Sequence, residues 1–306
     1  MDLAMRIKKK KSKATMTSIS MSLQLRYDRF FKFVFFGSAA AVSLVIFTII
    51  LFVAFQGLQT FKEASALDFF INTTWSPPAH YGIFSFIFSS FATTLLALLI
   101  GAPLGLAGAI FMAKIAPQWV RDVLRPATDL FVGIPSVVYG WIGMTIFVGI
   151  IRDNIGGSGF GVLAAGTVLS VMILPTVISI SEDSLRALPQ SLEEASYALG
   201  ANRWQTIRRV LLPAASPGLL AAVILAMARA IGETMAVQMV IGNSPQFPAS
   251  LVLPTATLTS WIVVEMGNTP FGSTINNALF LMAFTLLGLS MATILLVRVV
   301  VRRRMV

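Results

Sequence analysis

Polar residues are scarce along this chain, and where they cluster they divide it into long apolar runs. Six runs approach or exceed the ~20 residues an α-helix needs to cross a hydrocarbon layer: 33–58, 84–112, 126–151, 160–181, 213–242 and 275–298. The pattern predicts an all-α polytopic membrane protein with six transmembrane helices. Several runs exceed one crossing, so tilt or extension beyond the membrane is expected. The first run is rich in Phe and Ile and poor in small residues, as expected of a lipid-facing helix. The second carries Gly101 and Gly105, whose spacing lets a neighbouring helix approach closely. The third holds Pro135 between two glycines, and the fourth holds Pro175; each predicts a kink. A Gly-rich stretch at 152–159 reads as a tight turn. Outside the runs, Trp75, Pro77 and Pro78 suggest a turn in segment 59–83. Segment 243–274 is punctuated by four prolines, and its stretch 258–266 reads as a short interfacial helix anchored by Trp261.

One polar island has an internal grammar. Residues 194–213 read EASYALGANRWQTIRRVLLP, between two apolar runs. Ser191 and Glu194 have capping-box spacing, so a short helix is expected to start there, just after Pro189. Gly200 suits the position that ends it. A second helical stretch, 203–211, then leads into Pro213, which fits the first turn of a membrane helix. The chain is expected to leave the bilayer, make a helix-turn-helix elbow and re-enter.

Charge supports this threading. Of 306 residues, 56% are hydrophobic and 12% charged, which excludes a soluble globule. Lys and Arg collect in cytoplasmic loops of membrane proteins. With both termini inside, nine fall in the tail 1–32, three in loop 113–125, four in loop 182–212 and four at the C-terminal end. Of the 23, only Lys62, Arg152 and Arg229 lie elsewhere. The tail is expected to be mobile or to lie on the membrane surface; its run 6–13 (RIKKKKSK) is read as a retention signal able to touch acidic headgroups. No nucleic-acid role is expected, since aromatic residues are absent from that run. The first apolar run starts too late and is too long for a secretory signal peptide. Zero cysteines exclude disulfides, and one histidine, His80, provides no metal cluster. No lysine follows a glycine, so no phosphate-binding G-x-x-x-x-G-K-[ST] loop exists. No cofactor is expected on this chain.

Arg229 and Glu233 lie inside the fifth run. An ionisable residue there costs about 2.5–3.5 kcal/mol on insertion scales and normally faces a cavity or a partner. Their i, i+4 spacing predicts one shared helical face, kept slim by Ala222, Ala226, Ala230 and Gly232. A structural ion pair is one reading. The other is a solute pathway: the guanidinium fork matches an oxyanion, Glu233 keeps the field from trapping it, and Thr234 adds a hydroxyl.

Three motifs carry a family resemblance. Glu194-Ala195-Ser196, Gly200 and Val210-Leu211-Leu212-Pro213 resemble the EAA loop of ABC importer permeases, with Ser for the second Ala and Val for Ile. The stretches 134–140 (IPSVVYG) and 229–237 (RAIGETMAV) resemble signatures of the PstC-type permeases of phosphate importers, over about residues 84–301. The resemblance implies a type I ABC importer (MetI-like) transmembrane domain at 84–301. Before it come the tail 1–32 and a first helix with outer loop at 33–83; the coupling loop falls at 182–212 and a basic end at 302–306. It implies a PstA-type permease, two PstB-type ATPases holding ATP and Mg, and a PstS-type phosphate-binding protein as partners, in a bacterial inner membrane. It also implies roles: Ser191, Glu193, Glu194, Ala195, Gly200 and Ala201 in ATPase coupling, and Arg229, Glu233 and Thr234 along the phosphate path. The alternatives are a permease for molybdate, sulfate or phosphonate, a phosphate-sensing scaffold, and a proton-coupled carrier titrating Glu233.

Overall fold

The structure, a computed structural model, describes the backbone of residues 2–304 and the side chains of 27–299. The chain divides into two units, Met1–Phe55 and Gln56–Val306. The first is most of helix α1 (Asp2–Leu58). Its Phe33, Phe35, Phe36 and Phe47 are exposed, as expected of a lipid-facing surface. The tail is α-helical from Asp2 and runs into the span without a break. The basic side chains at 6–13 and 302–304 lie outside the described ones.

Among the described residues, six helical stretches are long and apolar enough to cross a membrane: Tyr27–Lys62, Phe84–Ile115, Ser136–Asn154, Val162–Arg186, Arg203–Gly232 and Thr274–Val299. The six expected crossings are therefore present. The core of the second unit is α3 (Phe84–Ile110) against α7 (Val162–Arg186). A Cβ on Gly101 would stand 2.8 Å from Ile173, and one on Gly105 would stand 2.7 Å from Val177. The two glycines thus buy the close approach their spacing predicts. Ala226 and Ala230 of α10 (Leu212–Gly232) close the same buried cluster.

Two crossings differ from expectation. The third is not one run over 126–151. Helix α4 (Gln118–Gly133) stops, Ile134 and Pro135 are extended (ψ 130° and 138°), and α5 (Ser136–Ile142) restarts. Proline pushes its preceding residue out of the helical region and lacks the N–H for that step. A π-helical turn, Gly143–Phe147, then joins α5 to α6 (Val148–Asn154). Pro135 thus breaks the helix rather than bending it. Pro175 does not break its helix: α7 runs through it as one element, and the ring is buried. After the separate helix α8 (Gln190–Ala198), the fifth crossing begins with α9 (Arg203–Thr206) and a π-helical turn, Ile207–Leu211. It ends at Gly232, ten residues before the end of the apolar run. Glu233 is extended (ψ 133°), and α11 (Met235–Val240) follows.

On the face away from the elbow, α2 (Ala66–Ile71), the hairpin β1–β2 (Trp75–Ser76, His80–Tyr81) and α12 (Leu258–Met266) form a packed cap. The helix expected at 258–266 forms with those bounds. Its Trp261 is not an interfacial anchor: it is 6% exposed and stacks on Phe86 at 5.4 Å, with Trp75 at 6.4 Å. The three rings pack against one another in the stacked and edge-on arrangements aromatic pairs favour. The last helix, α13 (Thr274–Arg304), is joined to the end of α1 by a buried Gln56–Asn277 hydrogen bond of 2.7 Å.

Candidate functional site

The elbow forms as two short helices at a tight corner. Helix α8 starts at Gln190, with Pro189 at its N-cap and no side-chain cap bond. The expected Ser191–Glu194 capping box is therefore not made; Ser191 lies inside the first turn and is exposed. At the other end the expectation holds. Gly200 has φ +81°, its N–H donates to the Tyr197 carbonyl (2.9 Å), and the Ala201 N–H donates to the Ser196 carbonyl (3.2 Å). This is a Schellman closure, which the left-handed residue makes possible. The capping box lies one helix later: the Asn202 side chain accepts from Gln205 N (2.9 Å), and the Gln205 side chain accepts from Asn202 N (3.0 Å). A buried Ser196–Thr206 hydroxyl pair at 2.9 Å locks the two helices together.

The elbow is also tied to the membrane helices. Lys114, at the end of the second crossing, pairs with Glu193, and its carbonyl accepts from Arg203. Glu193 thus faces its own chain. Next to the elbow, buried Glu182 of α7 lies 2.6 Å from Arg186 Nη2, and Arg125 of α4 reaches Asp183 at 2.9 Å. The side facing away from the membrane helices presents Glu194 and Ala195, both exposed, with Tyr197, Trp204 and Leu199. Leu199 is 89% exposed. Sequence reasoning missed Leu199, Tyr197 and Trp204; an apolar side chain beside the helix-ending glycine was the available signal.

The second group lies within the membrane helices. Arg229 Nη1 donates to Thr176 Oγ1 at 3.1 Å, and both residues are half-buried. Thr176 stands about 21 Å from one end of α7 and about 15 Å from the other at 1.5 Å per residue. The guanidinium is therefore near mid-depth. The expected shared face of Arg229 and Glu233 is not formed, because the helix ends between them. Among the described residues no ion pair within 4.0 Å joins them. Glu233 Oε1 accepts from Ala236 N (3.2 Å) and so caps α11. The Glu233 carbonyl accepts from Thr259 Oγ1 of α12 at 2.9 Å. Thr234 donates to the Gly232 carbonyl at 3.3 Å. Across the other interruption, the Tyr139 hydroxyl donates to the Phe131 carbonyl at 2.8 Å. The two restarts meet, since a Cβ on Gly140 of α5 would lie 2.9 Å from Ala236 Cα of α11. Thr176, Tyr139 and Thr259 escaped the sequence reading. A hydroxyl directly after Pro175 was the one visible hint.

An all-α bundle with six crossings, a charged side chain at mid-depth beside interrupted helices, and one rigid elbow outside defines a multi-pass membrane transport component. The chain belongs to the binding-protein-dependent transport system inner membrane component family, whose model matches residues 105–306. It is 52% identical over 274 residues to the probable ABC transporter permease protein YqgH of Bacillus subtilis, covering 88% of this chain and 87% of that one. It is 31% identical over 299 residues to the phosphate transport system permease protein PstC of Xylella fastidiosa, covering 91% of each. Among solved structures, it matches a bacterial alginate ABC transporter in complex with a pentasaccharide-bound periplasmic protein. That match has a TM-score of 0.64 at 15% identity and covers 90% of this chain and 96% of that one. The MetNI methionine ABC transporter, in inward-facing form, matches with a TM-score of 0.52 at 23% identity over 76% and 98% of the two chains. These likenesses show the fold, and it is the type I ABC importer transmembrane fold expected from the sequence. The chain is an ABC importer permease subunit.

Proposed function

We propose that this subunit conducts inorganic phosphate and forms half of the path, with a PstA-type permease as the other half. Two PstB-type ATPases carry ATP and Mg on the cytoplasmic side, and a PstS-type protein delivers phosphate to the outer face. The 84–301 region acts as the permease domain, both termini are cytoplasmic, and the membrane is the bacterial inner membrane. The relatives named PstC and the RAIGETMAV signature support the substrate. The observation that carries the reading is Arg229: a cation near mid-depth that gives one N–H to Thr176 and, among the described residues, has no carboxylate within ion-pair distance. A guanidinium has five donors in a planar fork, so it offers the oxyanion a paired contact. Glu233 lies four residues further along the chain, beyond the end of α10, where it softens the field without occupying the fork.

In this mechanism the loaded binding protein docks on the cap formed by 59–83 and 243–274. ATP binding closes the ATPase pair, which holds the elbow by Glu194, Ala195 and Leu199. The Lys114–Glu193 and Arg203–Lys114 ties pass the motion to the second crossing, and the Arg125–Asp183 pair passes it to α4. The helices then rock, and phosphate moves past Arg229 toward the cytoplasm.

The test is radiolabelled phosphate uptake into proteoliposomes holding the reconstituted importer, with external binding protein and internal ATP. Wild type imports phosphate only with ATP. Arg229→Gln assembles but loses at least about a hundredfold in rate, as removal of a charged partner to an anion implies. Unchanged uptake in the variant would reduce Arg229 to a structural residue; no uptake by the wild type would direct the search to molybdate, sulfate and phosphonate.

A further inference from the structure

Six threonines in the apolar helices of this chain give their proton to their own backbone. Thr93, Thr94, Thr145, Thr167, Thr285 and Thr293 all donate to the carbonyl four residues back, at 2.7–2.9 Å. This is the usual fate of a hydroxyl in hydrocarbon, where no water takes the proton. Thr176 differs. Its oxygen accepts from Arg229 Nη1 at 3.1 Å, and among the described residues its proton has no acceptor. A hydroxyl holds one proton and two lone pairs. With one lone pair taken by a cation, the O–H is polarised and becomes a stronger donor. Thr176 is only half-buried, as is Arg229, so both are reachable from outside the close-packed core. Val177 and Ala230, next to them along their helices, are buried and apolar. The result is a fork of N–H donors with one O–H donor beside it and no carboxylate in contact.

We infer that Thr176 is a second contact for the transported oxyanion, donating its hydroxyl proton to an anion oxygen while its lone pair holds the Arg229 fork in place. The inference rests on the phosphate reading of Arg229 and extends it to a residue on a different helix. One ligand bridging α7 and α10 would also report on how far those helices stand apart. Thr176 would then contribute to selection as well as to binding, because its position sets where the anion sits on the fork.

The test uses the complete reconstituted importer in proteoliposomes, with radiolabelled phosphate and saturating loaded binding protein. Thr176→Val keeps the shape and removes the hydroxyl; Thr176→Ser keeps the hydroxyl and removes the methyl. Uptake is expected to fall about ten- to a hundredfold in the Val variant, the loss of one hydrogen bond to a charged group. The Ser variant should retain most of the rate, and hydrolysis of ATP stimulated by the binding protein should persist in both. Wild-type uptake in the Val variant would overturn the inference alone. So would a Ser variant as slow as Val, or loss of stimulated hydrolysis in the Val variant, since either assigns Thr176 to packing. If the wild type imports no phosphate, the reading of Arg229 fails and the inference fails with it.

Discussion

The elbow and the interruption at Glu233 are both places where a helix stops, and they stop by different means. At the elbow the stop signals are local, although Lys114 also ties it to the second crossing. Gly200 supplies a left-handed residue, Asn202 and Gln205 cap the next helix, and Ser196 meets Thr206 across ten residues. At Glu233 there is no proline and no positive φ. The break is held from a distance by the Thr259 hydroxyl, twenty-six residues further on, and by Glu233 turning back to Ala236. A turn closed by its neighbours in sequence carries its own stop signal. An interruption held by a remote segment exists only while that segment stays in place. The elbow's turn is therefore set by its own residues, whereas the interruption at Glu233 depends on a distant one.

The sharpest attack on this contrast is at the elbow. Gly200→Pro cannot adopt φ +81° and deletes the N–H that bonds Tyr197. The local cost is about 3 kcal/mol or more. We expect phosphate uptake and docking-stimulated ATP hydrolysis both to disappear, while Gly200→Asn, which tolerates the left-handed region, keeps most of both. A Gly200→Pro importer working at the wild-type rate would mean that the elbow is not the transmitting element.

At the interruption the effect is smaller. Thr259→Val removes the donor to the Glu233 carbonyl, leaving a part-buried acceptor unpaired at a cost of about 1–3 kcal/mol. Uptake should fall about tenfold, with the complex intact and Thr259→Ser restoring the rate. Unaltered transport in the Val variant would show that the break is intrinsic to 229–237, as the elbow is to its own residues, and the contrast between the two would vanish.

The same difference explains what could be read from the sequence. Hydropathy gave six crossings because the bilayer imposes a length on each helix. Gly101 and Gly105 pointed to the α3–α7 contact, and Gly200 marked the elbow, because close approach and positive φ leave few residue choices. The break at Ile134-Pro135 was visible as a proline but not as a break; Pro175, the same residue in another crossing, sits in an unbroken helix. Their surroundings differ in burial: Pro175 is buried, whereas Pro135 is exposed. The i, i+4 pairing of Arg229 with Glu233 failed because it assumed a helix whose end is set by Thr259. The capping box was placed one helix too early because Ser191 and Asn202 both have suitable partners three residues on, and Pro189 had already fixed the start of α8. The Thr176 contact pairs residues fifty-three apart and leaves no periodic trace.

The finest test of the contrast uses pH. The cap that carries Thr259 holds Tyr81, buried edge-on against Trp75 at 5.9 Å, while Trp75 in turn touches Trp261 of α12. Burial, and then the negative charge of Glu63, push the Tyr81 phenol above its ordinary value of 10.0. A raised value means that the folded cap favours the neutral phenol. Its contribution to stability is complete below pH 10 and is lost as pH climbs through the higher folded-state value. Alkaline pH should therefore loosen the cap, and with it the break at Glu233, before it touches the elbow. Tryptophan fluorescence reads this in an importer whose permease chain keeps Trp75 and Trp261 and carries Phe at 119, 141 and 204. An emission shift is expected above pH 10, displaced to higher pH or abolished in Tyr81→Phe. If Tyr81→Phe gives the same alkaline shift, another group titrates there. If a probe on the elbow responds first, the interruption depends on the cap no more than the elbow does.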